Sequence, residues 1–264
     1  MPASASPTRK LAAIGAIVAL VIAVVALGIA VGKAVEGDRD TGPAGAPEAA
    51  ASAGSQEDPA QQKMFDDLAR QTSRRQEGDP LAKGRKDAPV VLVEYADYQC
   101  SFCGRFTRET QPDLIKKYVD AGTLRIEFRN FPVFGADSER AARASWAAGR
   151  QGRFWQLHDT LYAKTRKGAA LAEDELVELA RASGVPDLDR FRDDLRSAGA
   201  ERALKKDQDE GYRLGVQSTP SFLVNGRPVA GAQPTAVFAQ AVEDAAARAD
   251  AKGAKGTKGA GAGK

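Results

Sequence analysis

The sequence predicts an α/β domain with an inserted block of helices, and three patterns in it say so. A strand-helix-strand arrangement occupies residues 90–131. Helical periodicity then fills about 138–215. A strand, a two-residue turn and a returning strand follow at 219–230, ahead of one last helix. The 264 residues leave room for one domain of this kind plus extensions at both ends.

The extensions come first. Residues 1–10 form a short tail carrying Arg9 and Lys10. Residues 11–31 hold no charged side chain and are rich in Ala, Val, Ile and Leu, long enough to cross a bilayer. The apolar core of a cleaved signal is shorter, so an uncleaved single-pass anchor is expected. Lys33 and Arg39 after the span balance Arg9 and Lys10 before it. The signal-like order, and the two cysteines Cys100 and Cys103 only three residues apart, which have most use in an oxidising space, put the C-terminal part outside the cell membrane. Residues 32–78 read as a linker with a short amphipathic helix at 59–76, where Met64, Phe65 and Leu68 share a face that could pack on the domain or lie near the membrane.

The domain itself is expected to begin at Asp79-Pro80. Pro89 halts any helix and leads into an apolar strand at 90–95. A helix follows from Phe102 to Val119, then a strand at 124–131 whose apolar and polar residues alternate, the period of a half-buried strand with its polar face open to solvent. A strand, a helix and a second strand in one unit should put the two strands parallel, with a right-handed connection. Helices are expected near 138–150, 152–165, 173–183, 187–197 and 200–214, punctuated by glycines. Trp146, Phe154, Trp155, Leu157, Leu161 and Tyr162 read as core or as the rim of a groove. His158 among them reads as a packed or surface histidine. Asn225-Gly226 is a strong hairpin turn. Thr235 caps a final helix to about Ala247, and 248–264 read as a disordered basic tail.

Chemistry concentrates at Cys100-Ser101-Phe102-Cys103, which holds both cysteines of the chain. A helix start offers unpaired N–H groups and a partial positive charge, so a thiol there ionises more easily, with a pKa of roughly 3.5–7.5. Residues three apart lie on neighbouring surfaces of a helix, so Cys103 can reach the Cys100 sulfur. Cys100, the more exposed, is the expected nucleophile, and Cys103 the resolving thiol. A zinc site would need two more ligands, and His158 is the only histidine. A structural bridge across so short a loop gains almost nothing. Glu94, six residues before Cys100, is either an exposed edge position or a partly buried base that takes the proton from Cys103. Net charge is +3, with Arg and Lys balanced by Asp and Glu, so no nucleic-acid partner is expected.

Glu six residues before C-x-x-C, a helical block, then Gly-Val-x-x-Thr-Pro-x-Phe and Asn-Gly resemble the DsbA-like branch of thioredoxin-fold proteins. Residues 90–104 and 214–226 carry the likeness, helped by Phe154-Trp155-Gln156-Leu157-His158-Asp159. The resemblance covers about 79–247. It implies a thioredoxin fold with an inserted helical domain, here behind a transmembrane helix. It also implies a cis Pro220, whose turn leaves the backbone near Thr219 free to meet an extended client beside Cys100. On the residues alone, Pro220 could instead be a trans proline opening an edge strand. Ser101 and Phe102 complete the expected client contact.

Strong oxidants of that family often carry Pro-His between the cysteines. Ser101-Phe102 lacks that donor, so the disulfide here should be less oxidising. The expected function is thiol–disulfide exchange on reduced or unfolded exported proteins, foremost as a disulfide oxidase. A quinone-linked membrane thiol oxidase would reoxidise it, with no metal or organic cofactor. A reductase or isomerase of the same fold is the alternative. From other classes come a Cu(I) carrier using the two thiolates, which Met1 and Met64 do little to support, and a binding module with a dormant pair.

Overall fold

The computed structural model describes residues 58–259. The expected cytoplasmic tail, the span at 11–31, the spacer up to residue 57 and the last five residues lie outside it. No helix among the described residues is long and apolar enough to cross a membrane.

Five strands form one sheet: β1 (Ala82–Lys83), β2 (Val90–Ala96), β3 (Leu124–Asn130), β4 (Ser221–Val224) and β5 (Arg227–Ala230). Their spatial order is β1-β3-β2-β4-β5. β2 and β3 pair in parallel, as the strand-helix-strand reading requires, while β4 runs antiparallel to β2 and to β5. Every residue of β2 and β3 is buried, because helices cover both faces of the sheet.

Parity along β2 decides what each face receives. Val90 and Leu92 point to a core shared with Phe106, Leu114, Phe222 and Phe238. Val91, Val93 and Tyr95 point the other way, to Leu68, Phe131 and Leu223. Glu94 falls on the first face, paired across the sheet with Phe128 and Phe222.

The helices are α1 (Pro59–Thr72), α2 (101–119), α3 (Ala136–Gly149), α4 (Phe154–Tyr162), α5 (Glu173–Ala182), α6 (Leu188–Arg196), α7 (Ala198–Arg213) and α8 (Thr235–Gly259). α2 is continuous but alternates α and π turns. The Gln111 N–H donates to the Phe106 carbonyl, five residues back, just before Pro112. Proline has no N–H to give to the preceding turn, and the wider turn absorbs that loss. α3 to α7 and the 3₁₀ turn at Gly168–Leu171 form the expected helical block. Trp146 and Trp155 are partly buried against that block's core, which holds Phe154, Leu157, Leu161 and Tyr162. At the hairpin, Asn225 and Gly226 take positive φ of 44° and 78°, as its turn demands.

Three expectations are corrected. First, β3 is not half-exposed. Its polar residues Arg125, Glu127 and Arg129 are buried beneath α1 and α7. Glu127 bridges Arg125 and Arg129 at 2.9 Å each, and Arg129 reaches Glu210 of α7 at 2.8 Å. The backbone N–H groups of Arg74 and Arg75 also donate to Glu127. Second, the domain does not begin at Asp79: the helix expected at 59–76 takes the packed alternative, burying Phe65 and Leu68 on the sheet while Met64 stays partly exposed. The packed structure therefore starts well before Asp79. Third, α8 runs on to Gly259 rather than stopping near Ala247, and Lys252 pairs with Asp66 of α1 at 2.5 Å. The residues up to Gly259 are thus helical where a disordered tail was expected.

Candidate active site at the Cys100–Cys103 pair

β2 delivers the chain to Cys100 through a turn built on Asp97. The Cys100 N–H donates to the Asp97 carbonyl at 3.0 Å. The Asp97 carboxylate accepts from Gln99 N–H, from Val133 and Phe134 N–H, and from the Ser138 hydroxyl. One short side chain thereby fixes the approach to the cysteines and ties it to the loop after β3. Sequence reasoning missed Asp97. Its signal was available, because an Asp two residues ahead of a free N–H commonly closes such a turn.

Cys100 caps the first turn of α2. Its sulfur accepts from the Cys103 N–H at 3.5 Å, and as a thiol it donates to the Thr219 carbonyl at 3.2 Å. Both cysteines are free. Cys100 keeps 6% of its surface and Cys103 none, so the expected order of exposure holds, though the opening to Cys100 is narrow. Ser101 and Phe102 beside it are exposed. Phe102, Phe134 and Val133 are among the few large apolar side chains left in solvent, and Gln99 joins Phe134 to the cysteine turn.

The two thiols are strongly unlike. Cys100 is lowered from 9.0 to about 6, chiefly because the Cys103 thiol donates to its sulfur. Burial opposes that shift, and the Thr219 side chain and the backbone N–H groups of Cys103 and Phe102 add to it. Cys103 is pushed well above its ordinary value by burial, by its role as donor to Cys100 and by the nearby negative groups. This is the asymmetry expected of a thiolate at a helix start with a covered neighbour.

Glu94 is buried completely, so the exposed-edge alternative is excluded. Neither carboxylate oxygen has a protein partner. Burial, then the charge of Cys100, raises its pKa from 4.5 to about 8. The Thr219-Pro220 bond is cis, so the trans alternative falls too. His158 is packed among the rings of Phe128, Phe154, Trp155, Tyr98 and Tyr162, with Nδ1 on Asp159. It takes no place beside the cysteines.

A dithiol at the start of the helix after the central strand, faced by a cis-proline loop, defines a thioredoxin-fold redox protein. A family model described as Thioredoxin matches residues 76–244. The chain is 34% identical over 149 residues to a probable disulfide bond formation protein D of Bacillus cereus, covering 54% of this chain and 68% of that one. Two solved structures are similar. A thioredoxin-like oxidoreductase from Silicibacter pomeroyi is 28% identical with a TM-score of 0.54, over 63% of this chain and 96% of the other. Oxidised BdbD from Bacillus subtilis is 24% identical with a TM-score of 0.59, over 64% and 94%, and shares the fold. The chain belongs to this thioredoxin family, in its DsbA-like branch, and is a thiol–disulfide oxidoreductase.

Proposed function

We propose that the chain works as a disulfide oxidase on reduced exported proteins, held at the outer side of the cell membrane by residues 11–31. The observation that carries this reading is the Cys100 thiol, lowered to about 6. At neutral pH the reduced enzyme then holds Cys100 chiefly as thiolate. A stabilised reduced form makes the disulfide form the better oxidant.

In the forward direction a client thiolate attacks Cys100 Sγ. The Cys100–Cys103 bond breaks, and Cys103 leaves and takes up a proton. A second client thiolate attacks the client sulfur of the mixed disulfide, and Cys100 departs as the stabilised thiolate. The client has lost two electrons and gained a disulfide. Reoxidation runs through a partner disulfide, for which a quinone-linked membrane thiol oxidase is the expected source. Cys100 attacks that disulfide, Cys103 gives its proton to Glu94, and the Cys103 sulfur closes the bridge. Glu94 suits the task because it is buried, has no protein partner and ionises near neutrality. Thr219, Pro220, Ser101 and Phe102 supply the surface around the reacting sulfur.

The test is oxidation of a reduced, unfolded protein by the oxidised wild type and by Cys100→Ser, with the reduction potential of the pair measured alongside. The reading expects turnover in the wild type, none in the variant and a potential well above that of reducing thioredoxins, about −270 mV. Equal activity in the two proteins rejects the site. A potential at or below that value rejects the oxidase direction in favour of a reductase.

A further inference from the structure

The helical block contributes more than a cover. Tyr162, the last residue of α4, is completely enclosed, and its hydroxyl has no protein partner. A polar atom left bare in an apolar core is costly unless it meets a partner at some point in the working cycle.

Its surroundings indicate which partner. The Tyr162 ring lies against Gly104, the residue after Cys103. A Cβ built on Gly104 would sit 3.5 Å from Tyr162 Cδ1. Arg108 of α2 clamps the same place, donating to the Tyr162 carbonyl at 2.6 Å. Tyr162 and Cys103 share one buried cluster, and Tyr98 stacks on Tyr162 with ring centres 4.7 Å apart. The charged and titratable groups acting on the Tyr162 hydroxyl are Cys103 foremost, then Tyr98, Glu94 and Asp97. Acting on Cys103 are Cys100 and Glu94, which raise it, and the Asp97 backbone N–H, which lowers it. Arg108, the cation beside Gly104, donates to the Tyr162 carbonyl, and the Asp97 backbone N–H is a dipole that meets a negative charge on Cys103.

We propose that the Tyr162 hydroxyl, brought in by the helical block, is the hydrogen-bond donor that stabilises the Cys103 thiolate whenever that thiolate forms. The proton of Cys103 passes to the Glu94 carboxylate, and the freed electron pair attacks Cys100 Sγ and expels the partner sulfur as thiolate. Tyr162 keeps its proton throughout and only donates to the sulfur while the charge is there. The assignment rests on Glu94 being the base for Cys103. It adds a second group, on another element, that makes the same step possible.

Tyr162→Phe removes one oxygen and leaves the ring in place. The experiment loads a small aromatic thiol onto Cys100 as a mixed disulfide and follows its release by Cys103 across pH. Glu94→Gln and wild type are run in parallel. Tyr162→Phe is expected to slow release about tenfold and to move the rising limb of its pH profile upward. The ultraviolet titration of the Cys100 thiolate and the rate of loading should not change. A general packing defect would instead disturb loading, the Cys100 titration and release together, which overturns the proposal. Release at the wild-type rate in Tyr162→Phe, with Glu94→Gln slow, also overturns it while sparing the base. If Glu94→Gln releases at the wild-type rate, the base reading itself fails.

Discussion

Replacing Cys100 with Ser should remove a pH-dependent part of the stability of the reduced protein, and its size follows from the site. The folded thiol is lowered from 9.0 to about 6. A depressed acid stabilises the fold above its unfolded pKa, and that stabilisation is lost as pH falls through the folded value. With those two values the Cys100 contribution is close to zero at about pH 5 and about 2.7 kcal/mol at about pH 8. Two effects reduce it. Solvent reaches the site from one side, and the Cys100 charge also raises Glu94, which costs stability. A net of about 2 kcal/mol at about pH 8 is the working figure. The assay is urea unfolding of reduced wild type and reduced Cys100→Ser at several pH values, with thiolate absorbance followed in parallel. The gap should open as pH rises from about 5 to about 8. A gap that stays flat, or a thiolate midpoint near the ordinary value, would refute the reasoning that the turn and the Cys103 thiol hold the anion.

Three further outcomes are expected. Glu94 is raised from 4.5 to about 8, so its own contribution to stability falls as pH climbs between those values, against the rise that Cys100 supplies above about pH 6. Glu94→Gln should remove that contribution, worth up to about 3 kcal/mol at neutral pH; the readout is the difference between variant and wild type in the slope of unfolding free energy against pH, because the buried amide adds a constant offset. Arg129→Met strips one of two guanidinium partners from Glu127 and from Glu210 in a largely buried network. It should cost about 3–5 kcal/mol in denaturant unfolding, and a loss below about 1 kcal/mol would show that the network does not hold the two helices on the sheet. At Gly226 a Cβ would lie 2.1 Å from the Phe65 carbonyl oxygen and 2.7 Å from Ala69 N, at φ +78°. Gly226→Ala should therefore cost about 1–3 kcal/mol and loosen residues 59–72, read as faster amide hydrogen exchange across α1.

Much of the fold was legible in the sequence because its signals are local. The cysteine turn, the Asn225-Gly226 hairpin and the parallel β2-β3 pair each depend on residues close in sequence. The cysteine pair was legible from its spacing, and Glu94 stood out because a carboxylate in an apolar strand is costly to bury without a use; its part as a base is the role proposed above. Tyr162 was not legible as part of the site. In the sequence it is one aromatic among several in α4, and only the packing of that helix on Gly104 singles it out. Asp97 was overlooked for a different reason. Its partners Val133, Phe134 and Ser138 lie more than thirty residues away, and nothing near Asp97 announces them.

The misreading of β3 has a physical cause that extends beyond this strand. Alternation says which residues share a face, but it does not say what covers that face. Arg125, Glu127 and Arg129 all lie on one side, and a half-buried strand with that side in solvent was the economical reading of three charges. The cover comes from both directions in the chain. Arg74 arrives after α1, with Asp207 and Glu210 on α7, and Arg74 pairs with both carboxylates at 2.7 and 3.0 Å. Three guanidinium groups then face three carboxylates, so the buried face needs no solvent to balance it. A charged strand face can be enclosed when the elements above it bring opposite charges in matching number. That condition also explains why α1 belongs to the packed structure. Without the residues that follow it, Glu127 would lose two backbone donors and Asp207 its guanidinium partner, and the inner strand would carry charges that nothing neutralises.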